Sequence, residues 1–442
     1  MDTTYLVEIR LSRTKWRIKK TIEEIGKLFG VSEWTELHPH VTLYGPLVLR
    51  EGVTDPQMLD AIGTVAARFD PVPFLLEGWE KRDGMHGSVI AFPVQPSESL
   101  RQLTRDIATV LAPLTESQNA YDADPDRKWF HVTVANRLSS LQASAVYQGL
   151  TGIPDISGGR EPVPNESHGL LRRFLPGSLT GTVPAGKNRS IPPLLLDETG
   201  IRVTVMKEMT ILAEYDLIEK RWIPAGHRHS SEPWQRALVR YRHHAGLEHR
   251  DPEPPHPDDV FVIADLHLGH ANIIRYCSRP FLFADCREMD HVLIKNWNYS
   301  LGPKNRIYYL GDLRYGTAAG TAAEYRRRLR GDIVFIRGNH DNDMPGIAGS
   351  VEIGYDGMKF LMIHDPADAP EGYAGWVIHG HHHNNDLRHY PFISFTGRRV
   401  NVSAEVVGYR PVSLREIVRL IGNREASGDL SPVLLRPGTP YP

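Results

Sequence analysis

The second half of the chain carries five short apolar runs, at 260–264, 307–310, 333–336, 360–363 and 376–378. Each has the length and composition of a buried strand. Each also hands polar chemistry to the residues that follow it. The first leads into Asp265-Leu266-His267 and on to Gly269-His270, the second into Gly311-Asp312, and the third through Arg337 into Gly338-Asn339-His340-Asp341. The fourth meets His364, and the fifth runs through His379 into Gly380-His381-His382-His383. An open α/β sheet places its chemistry at the C-terminal ends of its strands, so these loops are expected at one edge. In the first half the pattern alternates instead. Strands are predicted at 5–9, 88–94 and 204–219, with Trp222 after the last, and helices at 14–28, before Gly30, and 97–111. Two further strands, 38–46 and 129–135, each contain His-x-Thr: His40 and Thr42, then His131 and Thr133, recurring 91 residues later. Alternation puts His and Thr of each pair on one face, and the recurrence reads as an internal duplication about a pseudo-two-fold axis.

At 442 residues the chain is too long for one ordinary domain. The expected division is a first domain over 1–223 with an insertion at 151–196, a Pro/His-rich linker with a short helix over 224–258, a second domain over 259–424, and a tail over 425–442. The insertion, rich in Gly, Pro and Ser, reads as a solvated loop, with a lid over RNA carrying Arg172, Arg173, Lys187 and Arg189 as the alternative. In the linker, Pro252, Pro254, Pro255 and Pro257 predict a stiff connector and Ser231 caps a helix reaching His244; its histidines follow no ligand spacing and read as solvated. A hydrophobic content of 41% and a net charge of -2 are those of a soluble protein without a global nucleic-acid signature, so any such contact must be local. Two cysteines, Cys277 and Cys286, suit a reducing cytoplasm, and no leader or membrane-spanning run is expected.

Asp, Asn and His delivered five times at strand ends are the mixed oxygen and nitrogen donors of a transition-metal site, not of a calcium cage or a thiolate zinc site. The ordered set Asp-x-His, Gly-Asp, Gly-Asn-His-Asp, His, Gly-His-x-His over about 258–421 resembles the calcineurin-like metallophosphoesterases. The resemblance implies an αββα sandwich and two divalent transition-metal ions, Mn²⁺ foremost, with Fe, Ni, Co and Zn suiting the same donors. Asp265, His267 and His383 would hold one ion and Asn339, His364 and His381 the other, with Asp312 between them. Paired ions supply Lewis acidity to phosphoryl oxygens and a nucleophile near neutral pH. His340 would assist the leaving oxygen, with Asp341 as its orienting neighbour, and His382 reads as a spectator. His270, Asn272 and Arg275, opening a helix near this edge, are candidate substrate contacts, with support of the ligands as the alternative.

The two His-x-Thr strands resemble the 2H phosphoesterases, the fold of 2'-5' RNA ligase-like cyclic phosphodiesterases, over about 1–223. The resemblance implies two antiparallel-sheet lobes, with two imidazoles facing one phosphate as general base and general acid and no metal or other cofactor. Thr42 and Thr133 would hold the non-bridging oxygens, Tyr44 would line the base pocket, and Arg137 lies one place later than the arginine expected after the second motif. The fold class is therefore α/β together with α+β. The leading functional expectation is a bifunctional, cytoplasmic RNA end-healing enzyme. Its first domain would open a 2',3'-cyclic phosphate to a 2'-phosphate, and its second would remove that phosphate. Its partners would be RNA 3' ends, with no membrane and no obligate protein partner. Two alternatives stay open: small substrates such as cyclic nucleotides or an ADP-ribose cyclic phosphate, and a first domain that only binds RNA for a single metal site.

Overall fold

The computed structural model describes residues 3–29, 38–84, 87–117, 119–151, 195–208, 210–224, 231–248, 256, 258–317, 319–341, 344 and 347–435. The expected insertion lies almost wholly outside the described residues, as do His227, His229, His249 and the linker prolines. Helices and sheets mix throughout, several of the sheets are antiparallel, and the class is α+β. Among the described residues no helix is long and apolar enough to cross a membrane.

In chain order the first half holds β1 (Tyr5–Arg10), α1 (Lys15–Phe29), β2 (His40–Leu49), α2 (Asp55–Ala66), β3 (Val72–Glu77), β4 (Glu80–Gly84) and β5 (Gly87–Pro96). It continues with α3 (Glu98–Leu111), β6 (Thr115–Ser117), β7 (His131–Leu138), α4 (Ser140–Thr151), β8 (Leu195–Gly200), β9 (Arg202–Lys207), β10 (Thr210–Asp216) and β11 (Arg221–Trp222). Ser97 caps α3 by accepting from the Leu100 N–H at 3.2 Å, which satisfies one of the helix's free amides. One antiparallel sheet runs β11-β10-β9-β1-β2-β6, and β4, β5, β3 and β8 form a second with β7 paired to β5. Both His-x-Thr strands begin on their histidine: β2 in the first sheet, with Arg10 opposite His40, and β7 in the second, with Pro93 opposite His131. The single strand expected at 204–219 is instead a hairpin of β9 and β10. Its turn is made by Glu208 at φ +46°, a left-handed residue that carries no glycine or asparagine signature.

After α5 (Ser231–His244), the second half holds β12 (Val260–Ile263), α6 (Ala271–Tyr276), α7 (Cys286–Ser300), β13 (Arg306–Tyr309), α8 (Ala322–Arg326), β14 (Asp332–Phe335), β15 (Ser350–Tyr355), β16 (Met358–Ile363) and β17 (Trp376–His379). Then come β18 (Ile393–Ser394), β19 (Arg399–Asn401), β20 (Val412–Ser413) and α9 (Leu414–Ser427). β12, β13 and β14 are parallel neighbours, closed by antiparallel β20. In the other sheet β16, β17 and β19 are parallel, flanked by antiparallel β15 and β18. All five apolar runs thus become strands in parallel register, and their C-terminal ends point one way. The Ala264 N–H donates to Val402 O at 2.9 Å, and the Val402 N–H to His379 O at 2.8 Å, so the two sheets are tied where their loops emerge.

Buried apolar side chains gather into two large clusters, one spanning Tyr5 to Leu217 and the other reaching from Ala237 to Val433 with Ile201 attached. The linker helix is not a solvated spacer. Ala237, Leu238 and Tyr241 of α5 are buried, and Arg242 is 2% exposed with its Nε donating to Glu248 and its Nη1 to Pro280 O. Tyr241 reaches back to the first half, its hydroxyl 3.4 Å from Thr199 Oγ1 and its ring under the Arg13 guanidinium at 5.4 Å. The amphipathic pattern of α5 buries a face against strands, which is why the segment docks. His243 is half-buried 3.7 Å from Glu248, while His244 and His256 are exposed.

One buried hydroxyl supports the loop that matters most below. Tyr309, fully buried at the end of β13, accepts the Leu266 N–H at 3.1 Å, between Asp265 and His267. Tyr309→Phe leaves that buried amide unpaired and should lower the unfolding free energy by about 1–3 kcal/mol, read as a fall in the urea midpoint at unchanged slope.

Candidate functional site

The strand-end residues converge. Asp312 sits in the middle: its Oδ2 lies 3.4 Å from His267 Nε2, 3.6 Å from His364 Nε2 and 3.9 Å from His340 Nε2. On one side Asp265, His267 and His383 form a cluster, with His383 Nε2 4.0 Å from Asp265 Oδ1. On the other, Asn339 Oδ1 lies 2.9 Å from His364 Nε2 and 3.1 Å from His381 Nδ1. All seven residues expected as ligands are therefore in one place. His364 Nδ1 faces Leu310 O at 2.7 Å; a carbonyl only accepts, so Nδ1 carries the proton and Nε2 keeps its lone pair toward Asp312 and Asn339.

The backbone pays for this convergence. Twelve non-glycine residues among those described have φ in the left-handed region, and five of them are Asp265, His267, Asp312, His381 and His383. Such conformations cost of order 1–3 kcal/mol each and persist where the surroundings over-determine them. The motif glycines have a related cause. A Cβ on Gly338 would fall within the Asp312 side chain, and one on Gly380 within the Asp265 carboxylate. Gly311, at φ +90°, packs against Gly338 and the His364 ring.

A cation fits this site. Asp265 and Asp312 are 0% and 2% exposed, and Asp265 Oδ1 and both ring nitrogens of His267 are buried without a hydrogen-bond partner. Burial pushes the Asp265 carboxyl above its usual range and holds the His267 imidazole well below its own, so that ring is neutral and free to donate a lone pair. Buried, unpartnered donors of this kind are costly unless something positive completes them. Two residues missed in the sequence orient the set. Arg279, 2% exposed, donates to Asp265 O at 2.7 Å, Leu266 O at 2.8 Å and Glu405 Oε1 at 2.7 Å. Glu405 in turn faces His383 Nδ1 at 3.1 Å. Burial opposes ionisation of Glu405, yet Arg279 and His383 beside it pull its carboxyl down to about 2. The signal for this pair lay 126 positions apart, with no motif to link it.

Other expectations around this cluster fare differently. Asp341 does not orient His340 and cannot meet a substrate: it is buried, and its oxygens accept the backbone N–H groups of Asp312, Leu313 and Gly338. It holds the Asp312 turn. His340 donates its own backbone N–H to Asp312 Oδ1 at 2.9 Å, and its ring lies 4.4 Å from that of Tyr315. His270, held to about 4 by burial with Arg279 and His340 nearby, packs 5.5 Å from the His267 ring and 4.6 Å from Tyr315. Asn272 is exposed on α6, and the exposed Arg275 lies over the Phe283 ring at 3.4 Å. His382 stacks on Tyr390 at 3.5 Å, outside the cluster.

In the first half, His40, Thr42 and His131 line a single cleft of about 800 Å³, with Arg10, Lys128 and Trp129 on its walls. The two imidazoles are held alike. His40 Nδ1 faces the carbonyl of His38 at 2.7 Å, and His131 Nδ1 that of Trp129 at 3.0 Å, each two residues back. This fixes the proton on Nδ1 and leaves Nε2 of both rings free. Burial, with Trp129, His40 and Arg82 as lesser influences, lowers His131 to about 4. The His131 ring stacks on Trp129 at 3.7 Å, with Arg82 over Trp129 at 4.2 Å. Thr133 lies half-buried two residues along β7.

Three expected contacts, Thr133, Tyr44 and Arg137, are not among the residues that line this cleft. Tyr44 is 3% exposed in the core, its hydroxyl 3.3 Å from Thr115, because the β1–β2 register shifts between Val7 and Glu8 and breaks the alternation from His40. Arg137 is exposed at the far end of β7 at φ +56°, beyond the register shifts between Ser88 and Ala91. Glu8 was missed. It is 2% exposed opposite Thr42, its Oε2 3.6 Å from His40 Nδ1 and its Oε1 3.4 Å from Arg10 Nε. Strand parity, which sets Leu6, Glu8 and Arg10 on the face away from the core, was the available signal.

Two free imidazole nitrogens turned into one cleft suit acid–base work on a phosphate. Residues 14–161 match the 2'-5' RNA ligase superfamily and form a 2H phosphoesterase domain of it. The chain also belongs to one family with the uncharacterized protein MJ1445 of Methanocaldococcus jannaschii, at 48% identity over 164 residues, 37% of this chain and 90% of that protein. A protein of unknown function, AQ665 from Aquifex aeolicus, is 24% identical with a TM-score of 0.29 over 37% of this chain and 99% of its own. A conserved uncharacterized protein of Streptococcus pneumoniae TIGR4, described as a predicted phosphoesterase, is 13% identical with a TM-score of 0.19 over 33% of this chain and 71% of its own.

Glu405→Gln keeps the size of the group that holds His383 but removes its charge. Isothermal titration of the full chain with Mn²⁺ should show affinity about 10–100-fold weaker than the parent, and the urea midpoint of the metal-free protein should fall as well, because Arg279 is left buried without its counter-charge.

Proposed function

We propose that the chain is a two-site RNA 3'-end phosphoesterase, with a 2H unit over 1–223, a connecting segment over 224–258 and a metallophosphoesterase unit over 259–424. The observation that carries this reading is the convergence of Asp265, His267, Asp312, Asn339, His364, His381 and His383 on one buried carboxylate, in a chain whose other half is a 2H phosphoesterase domain.

In the 2H cleft the substrate is a 2',3'-cyclic phosphate. His131, neutral through the working range, takes a proton from water at Nε2 as the water oxygen bonds to phosphorus. The bond from phosphorus to the 3' oxygen breaks, and His40, which enters the step as an imidazolium beside the Glu8 carboxylate, gives that oxygen its Nε2 proton, leaving a 2'-phosphate and a 3'-hydroxyl. Thr42 faces the non-bridging oxygens, and Glu8 steadies the His40 ring. The product then moves to the second site. Two divalent transition ions there, Mn²⁺ foremost, would be held by Asp265, His267 and His383 and by Asn339, His364 and His381, with Asp312 shared; they supply Lewis acidity to the phosphoryl oxygens. His340, on the open side beside Asp312, gives a proton to the leaving 2' oxygen.

The test uses a short RNA ending in a 2',3'-cyclic phosphate, first with metal-stripped protein and then with Mn²⁺ added. The stripped chain should stop at the 2'-phosphate and the loaded chain go on to the hydroxyl. His40→Ala and His131→Ala should each slow the first step by about 10²–10⁴-fold, while Asp312→Asn should spare it and abolish the second. No opening of the ring until metal is present would sink the 2H assignment.

The pH profile of the metal-free step carries a further expectation. A base lowered to about 4 stays unprotonated down to that pH, so the acid limb of kcat/KM should inflect near 4 and not near the 6.5 of an ordinary imidazole. An acid limb at 6.5 would assign the base role to another group.

A further inference from the structure

A groove of about 400 Å³ opens between α1 of the first half and α6 of the second, lined by Trp16, Arg17, Lys20 and Tyr276 and ending at Asn385, two residues past His383. Neither catalytic site uses it. Trp16 and Tyr276 meet across it at 5.4 Å, and the Lys20 ammonium sits 5.4 Å from the Trp16 ring and 5.9 Å from the Tyr276 ring. From Tyr276 a continuous series of rings leads to the ligand cluster: His270 at 6.2 Å, Tyr315 4.6 Å further on, and His340 4.4 Å beyond that. Tyr276 and Tyr315 are 43% and 42% exposed, large aromatic surfaces that a folded chain normally covers. The contacts between the rings are tilted or edge-on, not stacked.

The cations in the groove lack a matching set of anions. Arg17 is 8% exposed, yet its Nη1 is buried with no hydrogen-bond partner. Glu405 offsets part of the buried Arg17 charge, so the cation that the groove presents to solvent is Lys20. The acid lining the groove is Glu24, 3.9 Å from Lys20 in a pair that is half exposed on both sides and worth little. Positive charge interleaved with exposed aromatic rings is the chemistry that holds single-stranded nucleic acid: cations track the phosphates and rings stack the bases, largely without regard to sequence.

We propose that the groove and the ring series bind the single-stranded 3' end of an RNA, seating the nucleotides upstream of the terminal phosphate between α1 and α6 and leading that phosphate to Asp312 and His340. The proposal rests on the reading of the ligand cluster as a phosphate-releasing site. Its consequence is a substrate preference: the second site favours oligonucleotides over mononucleotides, although the reacting group is the same.

The experiment uses the full chain loaded with Mn²⁺, p-nitrophenyl phosphate as a probe without a nucleotide, and RNAs of one, three and six nucleotides ending in a 2'-phosphate. In the parent, KM should fall at least about tenfold from one nucleotide to six. Tyr276→Ala and Lys20→Glu, both on exposed side chains, should each raise KM for the hexamer between about five- and a hundredfold. Their kcat and their turnover of p-nitrophenyl phosphate should stay within about twofold of the parent. A KM independent of length, or variants that match the parent on the hexamer, overturns the track. If the loaded parent releases no phosphate from any substrate, the hydrolytic reading of the cluster has failed. Fluorescence anisotropy of a labelled hexamer then decides separately, since the track still requires binding that Tyr276→Ala and Lys20→Glu weaken.

Discussion

Two carboxylates in a nearly water-free pocket govern the second half of this protein. Asp265 and Asp312 are buried among imidazoles, and the surrounding architecture can be understood as what it takes to keep them there. Parallel strands bring their ends to one edge, so that Asp265 arrives from β12 and Asp312 from β13 in adjacent positions. Glycines at 311, 338 and 380 remove the side chains that would collide with the carboxylates. Left-handed backbone at five donor positions turns the groups inward. Asp341 gathers two amides of the Asp312 turn and that of Gly338, and Arg279 holds the carbonyls of Asp265 and Leu266. Each device gives up local stability or conformational freedom for placement, which is the usual pattern at sites where chemistry is done.

The first half solves a different problem by different means. Its histidines sit at the starts of two antiparallel strands, and the duplication lets the same short device work twice: a carbonyl two residues back takes the Nδ1 proton and turns Nε2 outward. The copies diverge in their surroundings. His40 lies against Glu8, whereas His131 is sandwiched against Trp129 and, through it, Arg82. Two equivalent imidazoles would compete for the same role. Unequal environments allow one to begin the cycle as base and the other as acid.

What could be read from the sequence follows from the range of the forces involved. The five strands and the donors after them were legible because an apolar run and the residue that ends it are neighbours in the chain. The His-x-Thr pair was legible because it repeats. What stayed hidden depended on register or on distant partners. Tyr44 was assigned to the cleft by strict alternation, which a shift between Val7 and Glu8 undoes. The hairpin between β9 and β10 turns on Glu208, a residue with no turn preference. Asp341 was given to His340, its neighbour in sequence, although its carboxylate serves amides 28 and 29 positions earlier. Arg279 and Glu405 have no spacing that predicts their pairing. The docked face of α5 was obscured by the histidines and prolines around it.

The order of the donors along the chain has its own consequence. Asp265 and His267 leave the ribosome well before His381 and His383, and Glu405, which steadies His383, comes later still. A growing chain that has reached only Asn339 offers an open, oxygen-rich half set, poor in imidazole and unable to choose among the ions around it. Three of the four imidazoles, the donors that favour a transition metal, come after Asn339 in the chain. If the cluster is the metal centre proposed above, choice of ion would wait until these later donors are in place, and would then be coupled to folding.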